Sequence, residues 1–407
     1  MIINKVNRNH SKRHIPSFKA YQRIIAQSSS LTTYIFDKCK NNCIAYTSVY
    51  NNLNHCPICN TERTHRLSEN TWSFNSPIDL LCERWKCLEL AKLLQYRKTR
   101  KSQDSVINDV WDSKYIKNLT EKIIVVDGVE TNSKHFEDTR ESALALATDG
   151  ISIFRSQTKS CWPLFLIDYL LPPEVRTKKN FIINVTVIPG PLKQKQVFDS
   201  FLKPIVDSLK LLQIGKKVYD TYTKTSFTYK AHVTHIVGDS PAINKLMGIK
   251  GTNSIYPCRN CKIKAQKGPK GVYYPSLKPP LTLQTHNHVY FFHNLPMRTH
   301  KEWLKILKHN ENRKGVVNDY GIKSRSPLLE LSSITLPFSF CIDTMHLILE
   351  NLISMIWKHL RGIGNDIFKN PLENGNDLIS KDDLRKIEKE LTVSTVKLFS
   401  MYAYIAF

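Results

Sequence analysis

The chain has 407 residues, more than one ordinary hydrophobic core takes up, so two or three domains are expected. Hydrophobic residues at 41% exclude a disordered protein, and no apolar run reaches the roughly 18–20 residues of a membrane span. Lys and Arg total 59 against 35 Asp and Glu, a net charge of +24 that points to a polyanionic partner, most simply nucleic acid.

Residues 1–33 read as a basic, flexible arm in which Lys5, Arg8, Lys12 and Arg13 cluster. No apolar leader stretch accompanies them, so secretion is not expected and the basic cluster suits a nuclear protein. Of the ten cysteines, six fall into C-x2-C or C-x3-C pairs, which in an intracellular chain reads as metal binding rather than disulfides. Four of them lie in segment 34–70: Cys39-x3-Cys43, then twelve residues, then Cys56-Pro-Ile-Cys59. Two tight pairs joined by a short loop supply the four thiolates of a closed, structural zinc site, with His55 and His65 as alternative ligands.

Segment 71–142 reads as helical and linking. Apolar residues from Leu80 to Leu94 recur at helical spacing and predict one helix over 77–100, with Cys82 and Cys87 as core residues. Ile123–Val126 is a short strand or linker, and Asp127, Glu130, Glu137 and Asp138 mark a solvated connector.

The core is expected over 143–362. Strands are predicted at 144–154, 161–171 and 181–188, with a hairpin turn at 155–160 between the first two. An amphipathic helix follows at 197–212, then a strand at 232–237 and a helix from Pro241, whose ring suits a first helical turn. Strands and helices in this order form an α/β layer structure. An insertion at about 249–330 carries Cys258-x2-Cys261, half of a second zinc site, with the other ligands open among His286, His288, His293 and His300. Apolar residues 331–342 have strand character and lead into a helix on which His346 and Glu350, four apart, share a face. Residues 363–407 read as a C-terminal helical segment, and its apolar end suggests a truncated copy.

Two isolated aspartates bracket this core, Asp149 at the first strand and Asp239 just after the fourth. Carboxylates at neighbouring strand ends are what two-metal phosphoryl chemistry requires, with Mg²⁺ or Mn²⁺ ions held roughly 4 Å apart. Each acid also has an ordinary explanation: Asp-Gly at Asp149 is a turn dipeptide, Asp239 a helix cap, and Glu350 a solvated helix residue.

Ordered motifs extend across most of the chain: Cys56-Pro-Ile-Cys59 with Arg63, Val110-Trp-Asp-Ser-Lys-Tyr115, Thr148-Asp149-Gly150 with Trp162-Pro163, and Leu171-Pro-Pro173. They continue through Arg176-Thr-Lys-Lys179, Ile188-Pro-Gly-Pro191, Gly238-Asp239-Ser-Pro-Ala242, Tyr256-Pro-Cys258-x2-Cys261, Leu295-Pro-Met-Arg-Thr-His300 and Asp343-Thr-Met-His346 with Glu350-Asn351. On these the sequence resembles the transposases of CACTA (EnSpm-like) elements, in their fungal version. The resemblance implies a DDE transposase with an RNase H-like mixed-sheet core and an inserted zinc-binding segment. It makes Asp149 and Asp239 the first two acids and Glu350 the third, with Asp343 as the alternative and His346 in support. It also makes Cys258, Cys261 and His300 parts of the inserted zinc element. The implied partner is DNA, both transposon ends and target, with a homo-oligomer left open and no membrane. Two other functions compete: a zinc-containing DNA-binding protein that keeps the fold without cutting, and a hydrolytic nuclease without strand transfer.

Overall fold

The computed structural model describes residues 31–65, 68–103, 106–152, 160–191, 196–251, 254–268, 271–273, 295–311 and 319–356. The basic arm up to residue 30, residues 155–159 of the turn predicted at 155–160, the histidines His286, His288 and His293, and the tail from 357 lie outside the described residues.

A seven-stranded mixed sheet organises the α/β architecture. Its central strand is β5 (Ser142–Thr148), buried along almost its whole length because strands flank both its edges and helices cover it. β7 (Ser160–Asp168) pairs antiparallel with β5, and β8 (Ile183–Pro189) pairs antiparallel with β7. The two-residue β6 (Ile151–Ser152) prolongs the β5 line and also pairs with β7. The chain then enters a 16-residue helix, Asp199–Ile214, whose Phe201, Leu202, Ile205, Val206, Leu209 and Leu212 are buried. That apolar stripe is the amphipathic face expected from the sequence. After it, β11 (Ala231–Val237) returns to lie parallel with β5. A single parallel bridge, Ile236 to Phe340, continues the sheet beyond β11.

On the far side, β1 (Thr33–Asp37) and β2 (Thr71–Asn75) extend the sheet outward from β8, giving the order β1-β2-β8-β7-β5-β11. The four-cysteine segment is therefore the connection between two strands of the same sheet that carries the acids.

The single helix expected over 77–100 is broken. The structure has α1 (Pro77–Cys82), a 3₁₀ turn (Glu83–Lys86), α2 (Leu88–Leu93) and α3 (Tyr96–Thr99). Tertiary contacts override the local pattern. The Trp85 carbonyl accepts from Thr221 N at 3.2 Å and Thr221 Oγ1 at 2.9 Å instead of from a following helical N–H, and Cys87 is extended. Trp85 itself is fully buried against Phe227 and Tyr229. These two aromatics belong to a hairpin, β9 (Lys216–Asp220) with β10 (Thr225–Tyr229), for which the sequence reading had no element. Residues 123–134 form another hairpin, β3 (Ile123–Val126) with β4 (Val129–Lys134). The strand expected at 331–342 is reduced to the bridge at Phe340; the rest is turns and irregular chain, following a 3₁₀ helix at Pro327–Glu330.

Candidate functional site

β5 and β11 are paired to the Ala147–Val237 level. Gly238 follows. A Cβ there would lie 2.5 Å from the Thr148 carbonyl oxygen and 3.2 Å from the Ala242 Cβ, so a side chain would force the strand ends apart. Asp149 and Asp239 are the next residues on each chain, which sets them side by side at the carboxyl ends of two parallel strands. Asp239 is also an N-cap: its Oδ1 accepts from Ala242 N at 2.7 Å at the start of helix Ser240–Met247, here α7 after α4 (Lys114–Thr120), α5 (Pro173–Arg176) and α6 (Asp199–Ile214). Capping occupies one oxygen and fixes the carboxylate, so the cap and a ligand role are compatible.

The bridging segment brings a third aspartate to the same end. Ile236 N donates to Ser339 O at 2.7 Å, and Cys341 N to Ile236 O at 2.9 Å. Asp343 follows two residues later. Its carboxylate accepts from His346 N at 3.1 Å and bonds His346 Nδ1. His346 Nε2 lies 3.9 Å from Glu350 Oε2. The bond to Asp343, followed by the charges of Asp343, Glu350 and Asp239, raises the pKa of His346 against the opposing effect of burial. His346 thus links both candidate third acids to Asp239. Asp343 is 16% exposed and Glu350 60%. Asp343 precedes, and Glu350 lies within, a π-helical segment, Met345–Ile353, an element often found at functional sites. Among the described residues, no Lys or Arg forms an ion pair with Asp149, Asp239, Asp343 or Glu350.

Cys39, Cys43, Cys56 and Cys59 converge as expected, with every ligand atom within 4.8 Å of the others. Among the described residues this is the only group of three or more such ligands so gathered; the acids and the Cys258–Cys261–His300 set are not brought that close. Cys39, Cys43 and Cys56 are buried and Cys59 half-buried. Burial pushes the Cys39 thiol up to about 11, while hydrogen bonds from Thr61 and Asn41 overcome burial and bring Cys59 down to about 6. Four soft sulfurs in a closed, largely dry cluster fit a structural zinc ion.

The unit is fastened to the core at a defect in α6. Pro204 lies inside that helix and has no N–H to give the Ser200 carbonyl. The Thr47 hydroxyl donates to that carbonyl instead. Ala45 N donates to Ser200 Oγ at 2.9 Å, and Val197 N to Cys43 O at 2.8 Å.

In the insertion, Cys258 and Cys261 form one tight turn, with Asn260 N and Cys261 N donating to Cys258 Sγ at 3.3 and 3.4 Å. Buried Arg298 braces the turn through Cys258 O and Cys261 O, each at 3.1 Å. His300, at the start of α8 (His300–Glu311), turns its Nδ1 to accept from Leu336 N at 3.0 Å. The sequence reading gave no role to Arg259, yet its Nη2 donates to Cys341 O at 2.8 Å, two residues before Asp343. The inserted turn therefore abuts the acid cluster. Only its place inside the C-x2-C motif marked Arg259 in the sequence.

Residues 126–272 match the family model described as Transposase family tnp2. The match spans β4 to β11 with both aspartates and reaches Cys258 and Cys261. Among curated proteins, none matches the chain.

Proposed function

We propose that the chain is a DDE-type DNA transposase of the CACTA (EnSpm-like) kind, cutting and rejoining DNA ends on an RNase H-like core. The observation that carries this is the pairing of Asp149 and Asp239 at adjacent parallel strand ends, locked by Gly238, inside a segment similar to a transposase family. The sheet supports it: an antiparallel β5-β7-β8 meander, then α6, then a parallel β11, is the layout of an RNase H-like core. The charge of +24 suits a DNA partner in the nucleus.

Asp149, Asp239 and a third acid would hold Mg²⁺ or Mn²⁺, which neutralises phosphate charge and activates the attacking oxygen. Hard oxygen donors that no Lys or Arg of the described residues ties up in an ion pair fit such ions. Asp343 is favoured as the third acid over Glu350, because it leaves a segment bridged to β11 and is the more sheltered. His346 orients the Asp343 carboxylate through two hydrogen bonds, to its backbone N–H and to its ring. The four-cysteine unit would hold structural zinc and stiffen the sheet edge; Cys258 and Cys261, with His300 or another ligand, would form the second zinc element.

The test is strand cleavage and joining on DNA carrying the element's terminal repeats, with Mg²⁺. Wild type should nick and join while Asp149→Asn does neither; equal behaviour of the two proteins would sink the proposal.

A further inference from the structure

We propose that Lys245, set between Trp162 and Phe198 and held by Gln196, forms a subsite for one backbone phosphate of a DNA strand lying beside the Asp149–Asp239 pair. The proposal rests on the chain acting on DNA.

Lys245 Nζ stands 4.1 Å from the Trp162 ring centroid and 4.6 Å from that of Phe198. Among the described residues its ammonium has one hydrogen bond, to Gln196 Oε1 at 3.2 Å. Among the described residues it has no carboxylate partner, whereas Lys203, Lys210, Lys216, Lys230 and Lys262 all have one. An ammonium carries three donors, and ring faces and one amide oxygen leave it under-used. Burying a cation without an anion is costly. Burial pushes Lys245 down to about 8. A bound anion relieves that cost. A methionine or leucine would bridge the same two rings without incurring it, so packing alone does not account for a lysine here.

The position suits a phosphate near the acids. The Trp162 ring presses on Gly150, 2.9 Å from where a Cβ would stand, and Gly150 follows Asp149. Lys245 lies three residues after Ala242, whose Cβ faces Gly238, the residue before Asp239. One indole and one helix turn therefore separate the ammonium from the two aspartates. Gln196 is itself pinned, its Nε2 donating to Asn42 O at 3.1 Å and Pro189 O at 2.6 Å, which aims its Oε1 at the lysine. Asn42 lies within the Cys39-x3-Cys43 knuckle. The four-cysteine unit thereby helps place the cation.

The experiment measures binding of a short fluorescein-labelled DNA duplex by anisotropy across a salt series. Each phosphate contact contributes about 0.9 to the slope of log affinity against log salt. Lys245→Gln should lower the slope by about that amount and Lys245→Arg should keep it. Gln196→Glu, which places an anion beside an intact Lys245, should lower the slope as Lys245→Gln does; this arm decides if Lys245→Gln gives no cooperative melt. An unchanged slope in Lys245→Gln and Gln196→Glu overturns the subsite while DNA binding stands. Absence of salt-dependent binding by wild type overturns the DNA proposal itself.

Discussion

The acids under the sheet and the acids at its carboxyl end are built to opposite rules. Asp168 is 1% exposed and accepts from Arg84 Nη1 at 3.0 Å. Asp109 binds Arg176 at 2.6 Å, Asp112 binds Arg100 at 2.5 Å, and Glu141 meets His232 at 3.1 Å. The Arg84–Asp168 and Arg176–Asp109 pairs fasten the 77–120 region to the sheet and the turn after it, and leaving any of these partners alone in the interior is expensive. Arg100 holds Asp112 below the usual carboxylate range, whereas for Asp168 burial outweighs Arg84 and raises it. Asp149, Asp239, Asp343 and Glu350 share one end of the sheet with no Lys or Arg ion pair among the described residues; the cations near them are His346 between them and Arg259, whose charge reaches Asp343. Repulsion among them stabilises nothing in the fold, and such a cluster is the arrangement expected of a binding site.

Substitution should separate the two groups. The largest expected effect is on catalysis. On the proposed function, Asp149→Asn or Asp239→Asn would remove a ligand of an ion that supplies several kcal/mol, so cleavage should fall at least about 10³-fold, while the urea midpoint holds or rises. Asp343→Asn and Glu350→Gln decide the third acid: one should match Asp149→Asn and the other should stay near wild type. Next in size is Arg84→Met, which strands Asp168 and should cost about 3–5 kcal/mol in urea denaturation. A stable Arg84→Met protein, or an unfolded Asp149→Asn protein, would break the contrast.

Much of the central sheet was legible because β5, β7, β8 and β11 are buried strands and read as apolar runs bounded by polar or Pro-Gly residues. The α6 stripe and the four-cysteine spacing were legible for equally local reasons. Long-range choices left no such mark. Nothing in Thr33–Asp37 or Thr71–Asn75 says that they pair around the knuckle and join β8. The break at Trp85 depends on Thr221, 136 residues away. At the site, the sequence supplied the aspartates, but that Gly238 must be glycine follows only from its contact with Thr148. Lys245 and Gln196 carried no signal, since each is an ordinary polar residue until its neighbours are known.

Zinc removal tests whether the knuckle belongs mechanically to the acid-bearing sheet. Chelation, or Cys56→Ser, should free the bonds that Ala45, Thr47 and Val197 make at the α6 start. At about 1 kcal/mol each, the loss is about 3 kcal/mol, read as a lower Tm with loss of bound zinc by atomic absorption. An unchanged Tm after complete zinc loss would make the knuckle an appendage.

The smallest expected effect is a pH dependence of opposite sign at the two ends of β11. Beneath the sheet, burial and then the charge of His232 lower His135 to about 4 from 6.5. His135 is 1% exposed, between Lys122 O and Ser332 Oγ. Its folded pKa lies below its unfolded one, so the unfolded chain takes up the proton first. The stability is complete above about pH 6.5, drains as pH falls toward 4, and changes no further below; its ceiling is about 3 kcal/mol. His232 is lowered in the same direction. Glu141, held low by His232 and Lys230 despite burial, adds its own loss only below its unfolded value of 4.5. At the other end, the pKa of His346 is raised, so its contribution is present below 6.5 and lost as pH rises through the folded value. Partial exposure screens that contribution, and the buried histidines should dominate. Melting wild type and His135→Asn at pH 7.5 and pH 5 measures this: the drop in Tm on acidification should be smaller in the variant. An equal drop would mean that His135 is already protonated in the folded protein and that the buried end tolerates charge as the acid end does.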